Sequence, residues 1–185
     1  MRARKDGRLP AAVALFTAVF SGCAPSSGSS GWPVTAGPTP RAVPGSERVY
    51  VGSTDGQISI YKLDALGALT LVNRVDGGNR PSFLAFDPAR AHAYAVNEAD
   101  GTVASFAIDQ TTGDLKSLNR VDSGGDGPAF VAVDRSGRYV MVANYGGGTT
   151  RIFPIGEDGS LGTPSDDKTP GEHSHMIITD PANKF

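Results

Sequence analysis

The stretch PSFLAFDPARAHAYAVNEADGTVASFAID, beginning at Pro81, recurs as PAFVAVDRSGRYVMVANYGGGTTRIFPIG, beginning at Pro128, an offset of 47 residues. The apolar positions coincide. An Asp closes the first apolar run in both copies (Asp87, Asp134), and an Asn closes the second (Asn97, Asn144). A third copy opens at SHMIITDPANKF, with Asp180 in the place of Asp87 at an offset of 46. Upstream, RVYVGSTDGQISIYKLD matches the second and third runs of a unit but lacks the first. A period of this length restricts the chain to architectures that repeat one supersecondary unit.

Each unit reads as four strands. The first is short and nearly all apolar (Phe83 to Phe86, Phe130 to Val133), which suits a strand buried on both faces. The second alternates (Tyr94, Val96; Tyr139, Met141). Asp100-Gly101, and Asp55-Gly56 in the earlier copy, then predict a tight hairpin with φ > 0 at both central positions. The third strand is Val103 to Ile108, and a weaker, more polar fourth lies around Leu115 to Val121. The 24 glycines and 13 prolines fit a chain of short strands and many turns. Four strands in ~40–50 residues, repeated radially, define a β-propeller blade. The expectation is an all-β fold of about three four-stranded blades plus the first strand of a fourth, a partial ring. A β-sandwich does not account for the fixed spacing of Asp and Asn.

The N-terminal segment has a different character. Residues 1–22 carry Arg2, Arg4, Lys5 and Arg8, followed by the apolar stretch LPAAVALFTAVF, too short for a stable transmembrane anchor. Phe20-Ser21-Gly22-Cys23 resembles a bacterial lipobox, with Phe20 where Leu, Val or Ile is usual. This predicts a lipoprotein-type signal peptide over 1–22 and lipidation at Cys23, the chain's one cysteine, so that neither an intrachain disulfide nor a Cys-based metal site can form. Residues 23–46, rich in Ser, Gly and Pro, read as a tether, with the lone Trp32 in it. The expected location is the cell envelope by a lipid anchor, or otherwise the periplasm or the medium. A formal net charge of −2 gives no sign of a nucleic-acid surface.

Several motifs go beyond the repeat. They are Tyr94-Ala-Val-Asn97-Glu98 with Asp100-Gly101, Ala143-Asn144-Tyr145-Gly146-Gly147-Gly148, and His173-Ser-His175 ahead of an apolar run and Asp180-Pro181. Together they resemble the lactonase family of seven-bladed propellers, which includes the propeller-type 6-phosphogluconolactonase and is similar to fungal muconate cycloisomerases. The resemblance runs over residues 47–185, the whole of the expected domain, and implies hydrolysis of a sugar lactone or similar cyclic ester without a cofactor. The Tyr-x-x-Asn element alone also occurs in non-catalytic surface propellers with YVTN-type repeats, so a binding module for protein or polysaccharide is the alternative. Seven blades would need roughly 330 residues. The chain therefore reads as an incomplete copy, inactive by itself, with two open sheet edges prone to edge-to-edge self-association.

His173 and His175, at i and i+2 of an expected strand, would share one face. By repeat they stand where other units place Arg80 and Ser82, or Gly127 and Ala129, at the mouth of the central channel. Arg80, Glu98, Asn144 and the histidines are thus expected around one pocket, with Asn97, Asn144 and Tyr145 as substrate contacts. Lactone opening needs a base for water and donors for the oxyanion. His175 or Glu98 can be the base. Arg80 and His173 can be the donors, or can bind a carboxylate or phosphate. No metal is expected, because His92 lies in the turn of another unit and catalytic zinc takes three protein ligands. Gly146-Gly147-Gly148 lacks the Lys-Ser/Thr of a phosphate loop and reads as a tight connection.

Overall fold

The computed structural model describes residues 47–183. The signal segment, Cys23, the tether and Trp32 lie outside the described residues. Three antiparallel sheets follow one another along the chain. The first contains β1 (Arg48–Gly52), β2 (Gln57–Leu63) and β3 (Leu69–Asp76). The second contains β4 (Pro81–Phe86), β5 (His92–Asn97), β6 (Thr102–Ile108) and β7 (Leu115–Asp122). The third contains β8 (Pro128–Val133), β9 (Tyr139–Asn144), β10 (Thr149–Pro154) and the short β11 (Asp166–Lys168). Each sheet is a meander in chain order. Among the described residues no helix is long and apolar enough to cross a membrane.

The repeat extends to details of register. Pro81 and Pro128 each open an innermost strand, where a missing N–H is tolerated, and each is followed by a register shift before Phe83 or Phe130. Those two phenylalanines meet across the sheets with ring centroids 4.6 Å apart. Each sheet packs face-on against the next. One core joins the first two sheets through Ile58, Ile60, Ala93, Ala95, Ala104 and Phe106. The other joins the last two through Tyr94, Val96, Val103, Val131, Val142 and Phe153. On β5, small alanines face one neighbour and larger side chains face the other, so its alternation is one of size and not of polarity. Burial on both faces thus belongs to β5. The first apolar run, on β4, is only partly buried because it is the edge of its sheet.

Polar contacts repeat between sheets too. The Tyr50 hydroxyl donates to the Gly113 carbonyl at 2.7 Å, and Tyr94 donates to the Gly159 carbonyl at 3.2 Å. Each tyrosine ties its second-layer strand to an outer hairpin of the next sheet. Burial raises the pKa of both hydroxyls, so they stay protonated donors. The recurrent Asp has a local task. Asp87 Oδ1 accepts from the amides of Ala91 and His92, Asp134 Oδ1 from those of Arg138 and Tyr139, and an oxygen of Asp180 from that of Ala182. The carboxylate holds the turn that leads from the innermost strand to the second.

Two expectations are corrected. The Asp-Gly connections are four-residue loops with only the glycine left-handed (Gly56 φ 88°, Gly101 φ 65°). They are not two-residue turns with both centres at positive φ. And residues 169–183 form no strand: His173 sits in a turn at φ 60°, and residues 174–180 have no ladder partners among the described residues.

Candidate functional site

The residues just before the innermost strands β4 and β8, and His173 at the matching repeat position, share one backbone conformation. Arg80, Gly127 and His173 lie at φ 62°, 58° and 60°. Glycine takes this region freely, whereas a side chain costs about 1–2 kcal/mol. The loop after each second strand closes on this position: the amide of Glu98 donates to the Arg80 carbonyl at 3.1 Å, and that of Tyr145 to the Gly127 carbonyl at 2.9 Å. Residues 98 and 145 are therefore held directly beside residues 80 and 127.

The candidate side chains gather in two groups on this framework. Arg80 Nη2 lies 3.5 Å from Glu98 Oε2, both about half exposed. The Tyr145 ring meets His173 at 4.6 Å in a tilted stack, and meets His175 edge-on at 5.6 Å. The histidines thus converge because both touch one tyrosine, since they do not share the strand face expected of them. His173, His175 and Tyr145 are all exposed to solvent. Beside His173 lies a recess of about 530 Å³, lined by glycines 146 to 148, Thr169, Gly171, Glu172 and His173. A Cβ on Gly148 would stand 2.8 Å from the Gly171 carbonyl oxygen, so the glycine lets residues 171–173 sit directly on the hairpin loop. Sequence reasoning had the glycines as a connection only and did not count Thr169 and Glu172, in the loop before the histidines, among the candidate site residues. The match of Gly148 with Gly101, whose Cβ would likewise meet the Gly125 carbonyl, was the available signal.

Asn97 and Asn144 stand elsewhere. Both are wholly buried. Asn97 Nδ2 donates to Thr102 Oγ1 at 3.2 Å, and Asn144 Nδ2 to the Ser123 carbonyl at 2.9 Å and to Thr149 Oγ1 at 3.0 Å. As folded they brace loops beneath the site, and a direct substrate contact is not open to them. His92 is also structural: its Nδ1 lies 3.0 Å from Asp87 Oδ2, and its ring covers Gly159. Among the described residues no group of three or more His, Cys, Asp or Glu side chains is placed to hold a metal.

Stacked three- and four-stranded meanders, converging inner strands and a period carried into turn geometry define a β-propeller. The family model described as lactonase, 7-bladed beta-propeller, matches residues 48–185, and the chain belongs to that family. The 6-phosphogluconolactonases of Pectobacterium atrosepticum and Pectobacterium carotovorum are each 32% identical to it over 73 residues, 37% of this chain and 22% of theirs. Among solved structures, the periplasmic gluconolactonase PpgL of Pseudomonas aeruginosa superposes with a TM-score of 0.62 at 22% identity, over 71% of this chain and 42% of that one. At that identity the likeness is one of fold. A Bacteroides fragilis protein, provisionally assigned as a 6-phosphogluconolactonase, is 27% identical with a TM-score of 0.55, over 69% of this chain and 34% of that one. The chain thus matches about a fifth of its curated relatives' length and about two fifths or less of these solved chains.

Proposed function

We propose that this protein hydrolyses a sugar lactone or a similar cyclic ester. The observation that carries the reading is the convergence of His173 and His175 on Tyr145 beside a glycine-walled recess, in a chain of the lactonase family. In the proposed reaction, His175 takes a proton from water as its oxygen attacks the lactone carbonyl. His173 and Arg80 donate to the oxyanion that forms. The ring C–O bond then breaks, the proton returns to the departing alkoxide, and a hydroxy acid is released. Glu98 serves less well as the base because Arg80 already holds its carboxylate. Its role in this scheme is to orient Arg80.

The reading extends to organisation: a signal peptide over 1–22, lipidation at Cys23, a tether over 23–46 and the propeller from residue 47. Export is in keeping with the periplasmic location named for the Pseudomonas aeruginosa structure. The test is a pH-stat assay of the purified protein against five- and six-membered lactones. Acid release above the spontaneous rate supports the proposal. A folded protein that contains this chain and spans the full length of its curated relatives, yet opens none of them, overturns it and favours a surface binding module.

A further inference from the structure

We propose that the recess beside His173 binds the hydroxylated ring of an uncharged sugar lactone, and that Glu172 discriminates against a phosphate-bearing one; this rests on the lactonase reading above. The recess, about 530 Å³, suits a single six-membered sugar ring. It is lined by glycines 146 to 148, Thr169, Gly171, Glu172 and His173. Backbone carbonyls, a hydroxyl and a carboxylate accept hydrogen bonds, and a hydroxyl and an imidazole can donate them. That is the mixture a polyol needs, since each sugar hydroxyl both donates and accepts.

The same walls suit a phosphate poorly. Phosphate is held by guanidinium or ammonium groups or by a helix N-terminus. Among the described residues none of these lines the recess. Glu172, one of the lining residues, adds a negative charge at the recess. Its place is set by backbone: its Cα lies 3.3 Å from where a Cβ on Gly148 would be, and it shares the turn that presents His173. A carboxylate facing a phosphate dianion at short range disfavours binding by about tenfold even when well solvated.

The experiment uses two ring-intact probes, glucono-δ-lactam and its 6-phosphate, titrated into the full chain by calorimetry with the histidine ring resonances followed by NMR. The neutral lactam is expected to bind at least about tenfold tighter and to shift the His173 signals. Glu172→Gln should narrow the ratio and Glu172→Lys should invert it. Equal or tighter binding of the phosphate, a ratio unmoved by Glu172→Gln, or binding of neither probe would overturn the proposal. Hydrolysis of the two parent lactones, measured in parallel, separates the two readings. A preference for the phosphorylated lactone defeats this inference and leaves the lactonase standing, while binding of the lactam without hydrolysis does the reverse.

Discussion

Replacing Asp134 by Asn should remove a defined, acid-sensitive share of the stability. The carboxyl is 3% exposed and accepts five hydrogen bonds. Oδ1 takes the amides of Arg138 and Tyr139, each at 2.8 Å. Oδ2 takes the Ser136 amide and the Asn183 side-chain amide, each at 3.0 Å, and the Ser136 hydroxyl. Burial pushes the pKa up, but the bonds from Ser136, Tyr139 and Asn183 outweigh it and hold the carboxyl at about 2, against an ordinary 3.8. A depressed pKa gives stability that is full above pH ~4 and is lost as pH falls toward ~2, worth about 2 kcal/mol. Asn is nearly isosteric, yet whichever oxygen it replaces, an amide N–H would face existing N–H donors. The cost at pH 6 should therefore be about 2–4 kcal/mol. Urea denaturation of both proteins at pH 6, 4 and 2.5 reads both effects, and the gap should narrow toward pH 2.5. A variant within about 0.5 kcal/mol of the parent at pH 6, or a gap constant with pH, would refute the reasoning.

Other substitutions probe the repeated geometry. Gly127→Ala, at φ 58°, should destabilise by about 1 kcal/mol, whereas Arg80→Gly, at φ 62°, should be neutral or stabilise by up to ~1 kcal/mol, since the exposed Arg80–Glu98 pair contributes little. A loss above ~1 kcal/mol for Arg80→Gly in the same urea assay would show that the left-handed position carries no strain. Tyr94→Phe should cost about 1–2 kcal/mol by orphaning the buried Gly159 carbonyl, and Tyr50→Phe less, because water can reach its site. Thermal melts that rank the two in the opposite order would contradict the buried tie.

Most of the fold was legible because the repeat is carried by apolar spacing, and spacing reports the pleat of a strand directly. Strands around Leu115 and Val103, and the equivalence of Arg80, Gly127 and His173, came from that source. What spacing does not report is φ. The Asp-Gly loops, the turn at His173 and the left-handed entry to each innermost strand depend on which backbone groups meet, and this is visible only when the next sheet is in place. The recurrent Asn illustrates the difficulty. Two buried amides bracing loops look, in sequence, like two polar residues aimed at a channel. Tyr145 shows the converse: it was singled out as a substrate contact, but its place between the two histidines emerges only from the fold.

The central claim is that the histidines gathered by Tyr145 form a working hydrolytic site. It is tested most directly by kcat/KM for lactone opening in the parent protein and in His175→Ala, with denaturation curves confirming that both fold. Loss of a general base predicts a fall of about 10²–10⁴-fold with stability unchanged, as expected for an exposed side chain. A variant that keeps the parent's kcat/KM would contradict the account.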